Sequence, residues 1–354
     1  MPFKISDINM SEKILIASIK SIFSLPADKI TFIWHGGEPL SAGINFFNSA
    51  MKFQNQYKSK NITFRNNIQT NATLINSEWI NFFKLHNFNI GISIDGPEEI
   101  HNLHRVFPNG KGSFSNVLSG IHLVQENKLD FGCLAVITNN STKKAEDIFN
   151  FFINEKILSF DVLPCIDFID DKNYAISSLN YANFLIELFD LWFNNDDPRI
   201  KIRFFDNILL SMLGGKVLLC KFSGNCSNFF TIKENGDIFP CDKFIGNPEL
   251  KLGNICEDNL DDILKSNNFK YFSFDVGLIS IACQKCKWLS LCNGGCSYNR
   301  YAKRKLFTDL NTFCKANKMV FTHIEKVLQN STNKFFNKEY PFTLAFQSNK
   351  NKYD

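Results

Sequence analysis

Short apolar runs alternate with stretches of helical period through the first half of the chain. Residues 11–23 (SEKILIASIKSIF) open on Ser11, a helix-capping residue, and then place apolar side chains three and four apart. That spacing predicts an amphipathic helix. KITFIW (29–34) follows, predicted as a strand that exits into His35-Gly36-Gly37-Glu38-Pro39. The alternation then repeats. A helix is expected over about 43–58, ITFRNNI (62–68) leads into Gln69-Thr70-Asn71, and another helix covers 77–86. IGISI (90–94) leads into Asp95-Gly96-Pro97, and a helix runs from Phe114 to about Glu126. FGCLAVIT (131–138), a helix from about 142 and FDVLP (160–164) complete the series. Five strands alternating with helices predict an α/β fold with a parallel sheet and right-handed crossovers. In barrels of this kind the loops after the strands carry the chemistry. The unusual polar and glycine-rich stretches here follow strands one, two and three.

The pattern changes after the fifth strand. Residues 179–213 read as helix, with LNYANFLIELFDLWF and then FDNILLSMLGG, and are taken as a bridge between domains. Beyond Gly214-Gly215 the cysteines crowd together. A last amphipathic helix is expected over 311–329, and the Asn-, Lys- and Phe-rich tail has no clear period. The expected organisation is a partial barrel (1–170), a helical bridge (171–215), a small Cys-rich domain (216–330) and a tail (331–354).

Composition narrows the functional classes. Hydrophobic residues make up 44% of the 354, enough for a buried core, and the net charge is only +4. With no basic block, nothing argues for nucleic acid as a partner. The opening MPFKISDINM lacks an apolar secretory core, and no run approaches the roughly twenty apolar residues of a membrane span. FLIELFDLWF (184–193) is interrupted by acids and fits an amphipathic helix better. The expectation is a cytoplasmic chain without a membrane partner, in which clustered thiols are metal ligands more often than disulfides.

Eight of the eleven cysteines fall into two linked groups. Cys220, Cys226 and Cys241 form the first, with Gly236 in the turn of a predicted hairpin, TIKENGDIFPC. Cys283, Cys286, Cys292 and Cys296 stand within CQKCKWLSLCNGGC, and Cys314 follows. This density exceeds what packing requires. Eight thiolates suffice for two four-thiolate sites, and the paired short spacings suit iron–sulfur clusters and structural zinc alike. Cys133 and Cys165 read as small apolar residues on strands or at strand ends.

The series Cys226-x9-Gly236-x4-Cys241, then Cys283-x2-Cys286-x5-Cys292-x3-Cys296, then Cys314, resembles the auxiliary-cluster (SPASM) domain of radical S-adenosylmethionine enzymes that modify peptides. With Cys220 added it is similar to the anaerobic sulfatase-maturating enzymes. That resemblance implies two auxiliary 4Fe-4S clusters, one on Cys220, Cys226, Cys241 and Cys296, the other on Cys283, Cys286, Cys292 and Cys314. The front half is similar to the same family. Gly36-Gly37-Glu38-Pro39 resembles its motif for the methionyl amino group, a group that a carboxylate and carbonyls suit. Gln69 and Asn71, and Ser93 through Asp95, resemble the next two strand ends, where ribose and methionyl carboxylate are contacted. Arg105 is placed by the resemblance to pair with a carboxylate. Asp242, directly after Cys241, matches the position of the family's proposed catalytic base.

By this resemblance the protein is a maturase. A 5′-deoxyadenosyl radical takes hydrogen from the β-carbon of a Cys or Ser in a protein or peptide substrate, giving formylglycine, with an electron donor such as flavodoxin or ferredoxin. One departure concerns Trp34-His35, since sulfatase maturases usually carry Gln before GGEP. A ribosomal-peptide maturase forming a crosslink is the alternative that His35 raises. A second departure is larger. The family's three-cysteine CxxxCxxC loop is absent, and the first cysteine is Cys133. MSEKILIAS (10–18) resembles the helix after that loop, so the expected fold is a partial (βα) barrel missing its first strand. The corresponding expectations are weak or absent binding of S-adenosylmethionine and no homolytic cleavage by this chain alone. A non-catalytic cluster-binding module, or a zinc-stabilised peptide-binding one, then remains as a further reading.

Overall fold

The protein is described by a computed structural model covering residues 9–166 and 174–336. Helix α1 (Glu12–Phe23) is capped by the Ser11 side chain, as its sequence predicts. Six parallel strands follow in chain order across one sheet: β1 (Lys29–Trp34), β2 (Thr63–Thr70), β3 (Asn89–Ser93), β4 (Phe131–Ile137), β5 (Ser159–Pro164) and β6 (Lys201–Ile202). Between and after them lie α2 (Ile44–Tyr57), α3 (Ser77–His86), α4 (Phe114–Glu126), α5 (Ala145–Asn154), α6 (Ser178–Asn195) and α7 (Arg203–Met212). Sequential order with every pair parallel is the βα alternation expected of a barrel wall. Among the described residues β1 is bonded to β2 alone, and Ile33 on it is half exposed.

The stretch expected to bridge two domains instead continues this unit. β6 pairs in parallel with β5 through Ser159↔Lys201 and Phe160↔Ile202, and α6 packs against α5. Two residues of strand are too short to show a period of two, so the sequence pattern carried no trace of β6. Behind the sheet, Phe47, Phe83, Phe152, Phe160 and Phe189 are fully buried, and much of the phenylalanine content goes into this core.

The Cys-rich domain contains little regular structure. β7 (Thr231–Ile232) and β8 (Asp237–Phe239) form the predicted hairpin, joined by β9 (Gly253–Asn254). Gly236 turns it at φ +89°, and a Cβ there would stand 2.8 Å from the Asn254 side chain. Helices α8 (Leu260–Lys265), α9 (Asn267–Gly277) and α10 (Ser297–Arg304) complete it, and α11 (Cys314–Phe336) returns to the barrel. The last helix thus runs past the expected boundary at 330, and residues 337–354 of the expected tail lie outside the described residues.

Two barrel helices carry the small domain. Ile14, Ala17 and Ile22 of α1, with Leu25, pack on Ile238, Ile255, Leu260 and Ile263. α11 lies along α6, where the Ser178 hydroxyl accepts from the Ala316 amide at 3.1 Å and His323 meets Asp190 at 2.6 Å. No described helix is long and apolar enough to cross a membrane.

Candidate active site and thiol centres

The motif residues at the strand ends form one hydrogen-bonded belt. Gly36 and Gly37 follow β1 with φ of +99° and +56°, in the left-handed region that glycine tolerates, and lie exposed. The Glu38 carboxylate turns back across the sheet. One oxygen accepts from the Leu40 amide at 3.0 Å and the Thr70 hydroxyl at 2.6 Å, and the other accepts from the Asn71 amide at 2.7 Å. Glu38 therefore ties the β1 exit loop to the end of β2. Pro39 begins the one-turn helix whose cap is Glu38.

The belt continues through β3 to β4. Gln69 donates to the Ser93 hydroxyl at 2.9 Å, lying over Gly91, where a Cβ would stand 2.3 Å from its amide oxygen. Asn71 closes a local turn, its side-chain oxygen accepting from the Thr73 amide and hydroxyl at 3.0 and 2.8 Å. Asp95 is buried and accepts from the Val136 amide at 2.8 Å. Arg105 does pair with a carboxylate, but with one of this chain: Nε and Nη2 donate to the two Asp95 oxygens at 2.6 and 2.9 Å. Such a bidentate, charge-assisted pair holds its geometry strongly.

His101 lies behind this pair, fully buried. Its Nδ1 accepts from the Asp95 amide at 3.4 Å and its Nε2 meets the Ser113 hydroxyl at 3.0 Å. Ser113 itself donates to the Arg105 carbonyl at 2.9 Å, so the network calls for a neutral ring protonated at Nε2. Burial lowers the His101 pKa to about 4, with Asp95 opposing and Arg105 adding to the effect. Nothing in the sequence pattern marks His101 as buried.

The eight thiols separate into two sets of four. Cys283, Cys286, Cys292 and Cys314 line a single cavity with Trp288, Leu289, Asn317 and Phe321. Burial pushes Cys292 up to about 12, and Cys314, Cys283 and Cys286 push it further in the same direction. Cys314, the first residue of α11, is raised by burial too, with Lys318 opposing. In the other set the Cys220 residue has exposed surface, yet desolvation takes its thiol up to about 11, aided by Cys226 and Cys296. Burial raises Cys241 as well, followed by Asp242, whose carboxylate accepts from the Cys241 thiol at 2.9 Å. Asp242 is exposed at the head of a single turn.

Burial raises the Cys292 and Cys314 thiols in one set and the Cys220 and Cys241 thiols in the other. A metal centre supplies the positive charge that makes them thiolates, and its binding releases their protons. Cys283, Cys286, Cys292 and Cys314 bring four sulfur donors to one small cavity. Among the described residues no three Cys, His, Asp or Glu side chains close on a single-ion point.

Arg300 links the two sets. It is buried, with Nη1 donating to the Leu278 and Phe307 carbonyls and Nη2 to the Val276 carbonyl at 2.6 Å. Burial depresses its pKa, and Cys226, Cys296, Cys283 and Cys292 oppose the effect, two from each set. Its Nε has no hydrogen-bond partner among the described residues. Lys221, next to Cys220, lies 4.1 Å from the Phe204 ring, and burial takes its pKa down to about 8. Neither residue was singled out from the sequence, where a lone Arg or Lys carries no signal. Cys133 is buried and its thiol strongly raised by burial, as a packing residue would be. Cys256, which the spacing argument left out, is exposed after β9 and belongs to neither set.

Comparisons with known proteins point one way. Residues 220–297 match the SPASM family, described as an iron-sulfur cluster-binding domain. The chain is 34% identical over 318 residues to a cysteine-type anaerobic sulfatase-maturating enzyme of Clostridium novyi (strain NT), spanning 88% of this chain and 85% of that one. A serine-type anaerobic sulfatase-maturating enzyme of Bacteroides thetaiotaomicron is 31% identical over 358 residues, spanning 95% and 86%. The solved structure of native anSMEcpe with bound AdoMet and the Kp18Cys peptide superposes with a TM-score of 0.83 at 32% identity, over 92% of this chain and 91% of that one. Streptococcus suis SuiB bound to precursor peptide SuiA shares the fold, with a TM-score of 0.56 at 17% identity over 86% and 69%.

Proposed function

Because the chain belongs to the anaerobic sulfatase-maturating enzymes, we propose that it is a radical S-adenosylmethionine maturase. Its target is a Cys or Ser side chain of a protein substrate, and its product is formylglycine. The observation that carries this reading is the sorting of eight thiols into two sets of four beside an intact belt of motif residues. The arrangement supports two auxiliary iron–sulfur clusters, one on Cys220, Cys226, Cys241 and Cys296 and one on Cys283, Cys286, Cys292 and Cys314.

When bound, S-adenosylmethionine supplies hydrogen abstraction and the clusters supply an electron path. The chain's own residues do the positioning. Gly36 and Gly37 offer backbone groups toward the methionyl ammonium, while Glu38 holds that loop in place instead of leaving its carboxylate uncommitted. Gln69 and Ser93, bonded to each other, present polar groups at the ends of β2 and β3, and Asp95 with Arg105 braces β3 against β4. Asp242 accepts the proton released as the substrate is oxidised, a role that requires hydrogen-bond reach of the substrate group. The electron donor is a low-potential carrier of the flavodoxin or ferredoxin class.

This reading is testable on anaerobically loaded protein. Calorimetric titration with a sulfatase-type peptide containing Cys, or its Ser counterpart, should show saturable binding; no binding of either peptide would contradict the maturase reading.

A further inference from the structure

We infer that the thiol centre formed by Cys283, Cys286, Cys292 and Cys314 opens onto a docking surface for an acidic one-electron carrier protein. The inference rests on that centre being an iron–sulfur site. The first observation is a charge asymmetry. Between Val276 and Ile324 the chain carries eight Lys or Arg and one acid, Asp309, whereas the net charge of the whole chain is only +4. Asp309 is already paired with Arg304. Asp275 and Glu325 flank this stretch, and Lys303, Arg304 and Lys305 belong to the end of α10, so the charge beside this centre is that of Lys285, Lys287, Lys315 and Lys318.

The second observation is where those charges stand. Lys285 is exposed between Cys283 and Cys286, Lys315 is exposed next to Cys314, and Lys318 is exposed while lining the cavity itself. None of these three has a carboxylate within salt-bridge distance among the described residues, whereas Lys287 is held by Glu325 at 2.7 Å and lies 4.3 Å from the Trp288 ring. Charges needed only to offset buried thiolates would point inward, as Arg300 does. These three face solvent.

The third observation is an apolar contact area at the same mouth. Ile281 is 72% exposed and Leu310, which lines the cavity, is 48% exposed. Exposed apolar side chains and exposed lysines close in sequence to partly accessible thiols suit the small, transient interfaces of redox encounters, which bury under about 1,200 Å². Complementary charge acts chiefly on encounter rate and partner choice, as electron delivery between two proteins requires. The step is a single electron transfer. The reduced carrier loses one electron, the oxidised centre gains it, and no bond or proton changes hands.

The test uses the full chain, anaerobically loaded with iron and sulfide, and a reduced acidic flavodoxin as the probe. Stopped-flow absorbance follows reduction of the protein across a range of ionic strength. The wild-type rate constant should fall steeply with salt. The Lys285→Glu/Lys315→Glu/Lys318→Glu variant should be slower by about tenfold or more at low salt, within the range that electrostatic steering spans. Dithionite should reduce both proteins equally, and their electron paramagnetic resonance spectra should match. The milder Lys315→Glu/Lys318→Glu pair, which lies outside the Cys283–Cys296 loop, should show an intermediate loss, with the matching electron paramagnetic resonance spectra reporting that the centre is intact. An iron-loaded variant reduced by the carrier as fast as wild type would overturn the proposal alone. So would charge reversal that weakened substrate-peptide binding but left the carrier rate unchanged, since it would assign the lysines to the substrate. A colourless, iron-free wild type would overturn the underlying assignment of the centre as well.

Discussion

His101 and Arg300 are buried residues outside the cysteine sets whose pKa values burial lowers. His101 is held neutral in the folded protein, its pKa near 4 against 6.5 when unfolded. The unfolded chain therefore binds the extra proton first, and stability declines as pH falls from about 6.5 toward about 4. The shift corresponds to about 3 kcal/mol over that window. Thermal unfolding of His101→Gln should show a flatter dependence across the same window, with some slope left by His86 and His104, which burial lowers too. A slope unchanged from wild type would contradict the buried neutral ring. For Arg300, replacement by Gln leaves the Val276, Leu278 and Phe307 carbonyls short of partners. It should destabilise the Cys-rich domain by about 3 kcal/mol, measured by denaturant unfolding. It should also reduce iron retention at both centres, because the charge acts on thiols of both sets.

The elements show why some of this structure could be read in advance and some could not. β1 through β5 and helices α1 to α5 stand where the apolar periodicity places them, within a few residues at their ends, because each presents one face to a single core. β6 has only two residues and leaves no period, so its pairing with β5 inside the helical stretch has no sequence signal. The thiol sets were legible as a spacing, since ligands must converge however irregular the backbone between them. Glu38 and Arg105 were legible as motif members, but that both are consumed by bonds within the chain depended on side-chain geometry. The long terminal helix α11 offers the clearest test at this scale. Phe321 on it is fully buried, 5.6 Å from both Phe222 and Trp288, and so joins the helix to residues beside both thiol sets. Phe321→Ala should cost about 3–5 kcal/mol in denaturant unfolding. It should also raise amide exchange in α11 relative to the sheet, and unchanged protection there would contradict this role for the helix.

For the molecule as a whole, the arrangement is a parallel sheet whose strand ends are tied together by side chains, with a small domain docked through α1 and α11. That small domain has only three short strands and brief helices, so much of its cohesion depends on what its thiols bind. Metal-linked folding of this kind makes the bound and stripped forms differ sharply in stability. Removing iron by chelation under reducing conditions should lower the unfolding temperature of the Cys-rich domain and leave the barrel transition nearly in place. A single unchanged transition would argue against the division. The most direct test of the account remains the metal itself. Protein prepared without oxygen should contain about eight irons and matching sulfide per chain, as two cube-type clusters require. Cys283→Ala and Cys226→Ala should each lose about half of that iron at least. Zinc in place of iron, or a colourless protein with its eight thiols still reactive, would contradict the account at its centre.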